Sequence, residues 1–197
     1  TIRQANANDS RAVIDLVGAR LREILGAEDI FIALLDTSRT RIGFPDLVQG
    51  GERRVTADLA IGEGLTSQVL EAKRAVRFGS VDEQMPHNPA FSREVDIHES
   101  WLGMPIMVGD EAIGVVNVSS HEPNAYSEAD ERLVATVAAS MGVALENARL
   151  FDETKRLLAE TNERAAELAL INSVQVGLSS NLDMQSMYEL VGEKIRE

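Results

Sequence analysis

The stretch Ser100–Ser120, SWLGMPIMVGDEAIGVVNVSS, limits what this chain can fold into more than any other. Two apolar runs flank Gly109-Asp110-Glu111, a break of Gly and polar residues, and this reads as a β-hairpin. In the first run Leu102, Met104, Ile106 and Val108 alternate with Trp101 and Met107. In the second, Ile113 and Val115 alternate with Ala112, Val116 and Val118. A strand wetted on one side carries polar residues at every second place. These two are apolar on both faces, so they are central strands, and the rest of the chain must cover them twice.

Upstream of the hairpin the chain reads as helix followed by local strands. Asp9 or Ser10 can cap a first helix, in which Val13, Leu16, Val17, Leu21 and Ile24 share one face, and Gly26 ends it. Ile30–Leu35 is a short continuous apolar strand stopped by Asp36-Thr37-Ser38. A weaker strand over Thr40–Val48 is broken by Pro45 and closed by Gly50-Gly51. Arg53–Leu59 alternates polar and apolar residues as a half-exposed strand does. Ile61-Gly62-Glu63-Gly64-Leu65 opens a short helix through Lys73, and Val76–Val81 is one more strand. Gly62, Gly64 and Ser67 resemble a dinucleotide loop, which needs a buried strand before it. The strand here is amphipathic, so the glycines are read as a plain turn into the helix.

The segment 82–99, DEQMPHNPAFSREVDIHE, is long and irregular, with Pro86, Pro89, His87 and His98. A loop of this length in a compact domain is commonly functional. It leads straight into the buried hairpin, so it is read as a lid over one sheet face. A surface loop with a short helix at Ser92–Ile97 is the plainer alternative.

Beyond the hairpin, Ser127 caps a helix with Asp130 in a capping-box-like arrangement. From Ser127 to about Gly177 there is no proline and only Gly142 interrupts. Leu133, Val134, Val137, Met141, Val143 and Leu145 are apolar enough to pack on the sheet. Further on the apolar set thins to a seam of Leu150, Leu157, Leu168, Ile171 and Leu178, with Asn147, Thr154, Thr161 and Arg164 in the alternate places. Heptad spacing predicts a two-helix coiled coil, and so many polar seam residues make it a weak one, able to change register. At the end, DMQSMYELVGEKIRE (183–197) lies over DSRAVIDLVGARLRE (9–23), with Asp, Leu, Val, Gly, Arg and Glu in register. Self-similarity marks a repeated unit, and a second copy beginning here is a simpler account than chance likeness of two amphipathic helices.

Composition removes several classes of function. The net charge of −13 repels phosphate backbones and anionic lipid, so neither nucleic-acid nor membrane binding is expected. There is no cysteine, hence no disulfide, thiolate nucleophile or thiolate metal site. No apolar run approaches the roughly 20 residues of a membrane helix. The chain opens at Thr1 with no signal-peptide pattern, as expected of a piece cut from something longer. His87, His98 and His121 show no triad spacing, so no catalytic residues are expected. His87 and His98 share one loop with Asp82, Asp96 and Glu99, but no pair has the i, i+4 geometry of a helical metal site. Solvated loop histidines are the simpler reading, and no metal is expected. Trp101 can stack on a planar ligand or plug the edge of the core. Asn117, polar in a buried strand, needs a partner in backbone, water or ligand.

The GEG-led helix, the NPAF-type loop, WLGMPIMVGDEAIGVVNVSS and YSEADERLVATVAASMGVALENARLF together resemble a GAF domain, over roughly Asp9–Phe151. The resemblance implies an α+β, GAF/PAS-like fold. It has an antiparallel sheet of about five to six strands with helices packed behind it, plus a long C-terminal signalling helix. The implied boundaries are 1–150 for the domain, 151–178 for a coiled-coil linker and 179–197 for the first helix of a second, truncated repeat. It also implies a pocket under loops on the open face, lined by Phe78, Asp82, Phe91, Trp101 and Asn117. A dimer seam of Asn147, Leu150, Leu157, Arg164, Leu168 and Ile171 would relay its state. Members that bind cyclic nucleotides carry Asn-Lys after the last hairpin strand, then Phe-x-x-x-Asp-Glu. Here Tyr126, Asp130 and Glu131 keep the second half, but Ser120-His121 replace Asn-Lys, so cyclic nucleotides are not expected. Bilin attachment and the methionine sulfoxide reductase branch need a cysteine that this chain lacks. The expected protein is a cytoplasmic, homodimeric sensor of an unassigned small molecule, with no cofactor assigned, upstream of an output domain. The alternative is a ligand-free dimerisation scaffold that only spaces that domain.

Overall fold

A computed structural model describes residues 2–25, 27, 29–87 and 98–194. The chain divides into two compact units, Thr1–Arg149 and Leu150–Glu197.

The first unit is organised on the predicted hairpin. Strands β6 (Ser100–Val108) and β7 (Glu111–Ser120) pair from Ser100↔Ser120 to Val108↔Glu111. On the far side of β7 lies β1 (Asp29–Leu35), then β2 (Arg41–Gln49), which carries the short pieces β3 (Glu52–Arg53) and β4 (Leu59–Ala60). Strand β5 (Val76–Phe78) closes the other edge on β6. All pairings are antiparallel, and the order is β3-β2-β1-β7-β6-β5 with β4 also on β2. Facing residues of antiparallel strands point to the same side, so the register sorts the side chains into two faces.

One face is almost wholly apolar. Ile30, Ile32, Leu102, Ile106, Val116 and Val118 meet Ile14 and Leu21 of α1 (Ile2–Leu25) and Val134, Ala138 and Met141 of α4 (Glu128–Lys194). The exception is Asp46 of β2. It is fully buried, paired with Arg53 at 2.9 Å and Arg22 of α1 at 3.4 Å. A buried carboxylate is tolerated only when so compensated. It also explains Gly18, since a Cβ there would overlap the Asp46 carboxylate. The other face packs Ala33, Ile42, Val115 and Trp101 beneath Leu65, Val69 and Leu70 of α2 (Gly64–Ala72). The start of α4 is capped as predicted: the Asp130 N–H donates to Ser127 Oγ at 3.3 Å and the Ser127 N–H to Asp130 Oδ2 at 2.8 Å. The Ser127 hydroxyl holds the Asp130 carboxyl below its usual range.

Several expected boundaries move. The first helix starts at Ile2, well before Asp9. Strand β2 runs unbroken through Pro45, because Phe44 and Pro45 fall within the register shift opposite Ile32 and Leu34. A proline has no N–H to give the ladder and fits where a bulge leaves none to be given. The alternating Arg53–Leu59 segment pairs only at its ends. Between them Val55 is 98% exposed, so the alternation there has no sheet to face. Val81 opens the short helix α3 (Val81–Gln84), capped by Ser80, and does not end a strand. The expected Gly26 stop and the Ser92–Ile97 helix lie outside the described residues.

Candidate functional site

The antiparallel register lines up a transverse row on the α2 face. Phe78 of β5 faces Trp101 of β6, Trp101 faces Ser119 of β7, and Ser119 faces Asp29 of β1. At about 4.8 Å per strand the row spans about 14 Å. One end is aromatic and the other carries a carboxylate.

At the aromatic end the Phe78 and Trp101 rings lie 6.2 Å apart, and His87 packs on Phe78 at 5.2 Å. Both Phe78 and Trp101 are buried. The indole lies over Gly103, where a Cβ would overlap it. Asn117, one register step along and opposite Gly103, is fully buried. Its side-chain amide donates to the Leu102 carbonyl at 3.2 Å and the Val118 carbonyl at 3.4 Å, and accepts from the Ser119 hydroxyl at 3.5 Å. Its partners are thus two backbone carbonyls and the neighbouring Ser119 hydroxyl. Asp82 sits exposed on α3 and Phe91 lies outside the described residues. Thus Phe78, Trp101 and Asn117 come together on one face. The glycine turn before α2 is internally satisfied: the Gly62 N–H donates to Ser67 Oγ at 3.0 Å, and that hydroxyl donates to the Glu63 carbonyl at 2.7 Å. An amide so engaged is not offered to a phosphate, in agreement with the plain-turn reading.

At the acidic end the structure assembles a group that spacing alone concealed. Asp29 is 3% exposed. Its Oδ1 accepts the Gly50 N–H, and its Oδ2 is hydrogen-bonded to His98 Nε2. His121 Nε2 lies 3.7 Å from the same oxygen, and the two imidazoles stack at 4.5 Å. Each member is held by its element. The His98 and Glu99 carbonyls accept from the buried Gln84 amide at 2.9 Å, which ties the chain ahead of β6 to α3. Ser100 fixes the turn after β7, donating to the Glu122 carbonyl at 2.6 Å and accepting the Ala125 N–H at 2.9 Å. Asp29, Ser119, His121 and Tyr126 line a cavity of about 460 Å³. The Tyr126 phenol is buried and has no hydrogen-bond partner among the described residues. Burial first, then the Asp29 and Asp130 carboxylates, push it above its ordinary value.

A family model described as "GAF domain" matches residues 7–146. The chain belongs to the GAF domain family. Solved structures agree on the fold. The GAF domain of an Acinetobacter phosphoenolpyruvate-protein phosphotransferase is 21% identical with a TM-score of 0.62, covering 76% of this chain and 92% of that one. A free methionine-R-sulfoxide reductase from Thermoplasma acidophilum is 19% identical with a TM-score of 0.61, covering 72% and 95%. A GAF domain/HD domain protein from Geobacter sulfurreducens is 17% identical with a TM-score of 0.56, covering 74% and 98%. GAF domains are regulatory and sensory domains of signalling proteins, and that is the class of this one.

Of the residues expected to form a dimer seam, Asn147 belongs to the first unit and the others to the part of α4 in the second. Asn147 and Leu150, at the boundary, and Leu157, Arg164, Leu168 and Ile171 are all exposed. Thr154 and Thr161 turn their hydroxyls inward, donating to the Leu150 and Leu157 carbonyls at 2.8 Å each. Arg164 is paired with Glu160 at 2.7 Å on its own helix. Among the described residues no helix is long and apolar enough to cross a membrane.

Proposed function

We propose that this GAF domain senses a small molecule on the Phe78–Trp101–Asn117 face and, as a cytoplasmic homodimer, relays its state through the helix beyond Arg149 to an output domain. The observation that carries the reading is the exposed heptad stripe. Leu150, Leu157 and Ile171 stand about half exposed on a helix whose intervening threonines bond their own backbone. Apolar residues at this spacing form the seam by which two helices pack as a coiled coil. His87, on Phe78, and His98, on Asp29, stand at the two ends of the row on that face. A ligand there would act through its difference in affinity for two arrangements.

The self-similar tail supports a second copy at 179–197. Gly192 and Arg196 match Gly18 and Arg22, the residues that seat α1 against Asp46.

A ligand-free scaffold is favoured by one observation: Trp101 fills the space over Gly103 and Asn117 is satisfied by backbone, so this face is already packed. Catalysis of the sulfoxide-reductase kind is not proposed, because the chain has no cysteine. Native mass spectrometry of the purified chain, followed by denaturation, separates the two readings. The sensor predicts a dimer that carries a discrete organic mass and releases it on unfolding. A clean dimer turns the reading to the scaffold.

A further inference from the structure

We propose that Asp29, His98 and His121 form a binding site for one divalent transition-metal ion of the zinc and ferrous class, with the Tyr126 phenol serving the open coordination position. The three candidate ligand atoms lie within 4.8 Å of one another. In a tetrahedral site with metal–ligand bonds of about 2.0–2.2 Å, ligand atoms stand about 3.3 Å apart. The 3.7 Å between His121 Nε2 and Asp29 Oδ2 is close to that separation, and His98, now hydrogen-bonded to the same oxygen, has only to open outward.

The chemistry of the donors points the same way. Two imidazoles and one carboxylate leave coordination positions free, the donor set of open zinc and non-haem iron sites. Metal ions bind imidazole in its neutral form and carboxylate in its ionised form. A single divalent cation serves all three groups with both rings neutral. The surroundings are those of a held site. The Gly50 N–H takes the other Asp29 oxygen and so aims Oδ2 at the histidines, the outer-shell orientation that metal sites use. Independently, Tyr126 is nine-tenths buried, lines the same cavity as Asp29 and His121, and has an O–H with no partner among the described residues. A water or anion on the metal would accept that hydrogen. The three ligands come from the start of β1, the loop end before β6 and the turn after β7, so an ion would pin the loop end to the sheet.

The site lies beyond the small-molecule reading and is tested without it. Wild-type chain is stripped with chelator, titrated with cobalt(II) while visible d–d absorption is followed, and weighed with zinc(II) by native mass spectrometry. One ion per chain is expected, with a rise in unfolding temperature and release of protons. His121→Ala, a change at a half-exposed side chain, is expected to fold as the wild type does by circular dichroism and to lose the stoichiometric ion and the absorption band. Asp29→Asn is expected to do the same, whereas His87→Ala, the third histidine of the chain, retains both. Absence of saturable uptake by the wild type, or equal uptake by His121→Ala, overturns the site and leaves Asp29 and His98 as a hydrogen-bonded pair.

Discussion

The two ends of the chain carry nearly the same helix in opposite surroundings. In α1, Ile14 is 3% exposed and Val17 packs against the core. Their counterparts in the tail, Tyr188 and Val191, are 71% and 52% exposed. Sequence pattern is shared, burial is not. What differs is the neighbour: α1 has a sheet with Asp46 on it, and the tail has none among the described residues. An amphipathic pattern therefore says that a face wants cover, and only the rest of the fold says what the cover is.

The comparison can be broken most forcefully on the covered side. Leu21 is fully buried between α1 and the sheet, so Leu21→Ala should cost about 3 kcal/mol of domain stability, read as a lower urea midpoint without a change in association. A matched pair of glycine changes sharpens it. Gly18→Ala pushes a methyl into Asp46 and should destabilise the domain by about 1–3 kcal/mol. Gly192→Ala, at the matching position of the tail, should instead stabilise its helix by about 1 kcal/mol. Equal effects in thermal unfolding would show that the two segments do not differ in their surroundings. The smallest change concerns the α4 cap. Ser127→Ala should cost about 1 kcal/mol at neutral pH. Because the Asp130 carboxyl is held below 3.8, the stability it lends is complete above that value and is lost as pH falls through its lowered one. The gap between variant and wild type should accordingly narrow in acid, by pH-dependent circular dichroism.

What could be read in advance follows from how local each cause is. The hairpin, its double burial and the Ser127–Asp130 cap depend on neighbours in sequence, and all three stand. Pro45 misled because the bulge that accommodates it is a property of the β1–β2 register. The acidic end of the row was hidden for the same reason. Asp29 and His121 belong to elements far apart in sequence, and only the Asp29↔Ser119 pairing brings them together. Residues such as His87 and Asp82, close in sequence to His98, proved the wrong company for it: His87 rests on Phe78 and Asp82 is exposed on α3. Trp101 and Asn117 were legible as buried, but the partner each would choose depended on Gly103 and the Leu102 carbonyl across the hairpin.

Sedimentation equilibrium of the chain beside Leu157→Asp tests the account most directly. The exposed heptad stripe predicts a dimer for the parent. For the variant it predicts a monomer, or association weaker by about 100-fold, which corresponds to about 3 kcal/mol, with the domain's unfolding midpoint unchanged. A monomeric parent, or a variant that remains an equally tight dimer, would contradict it.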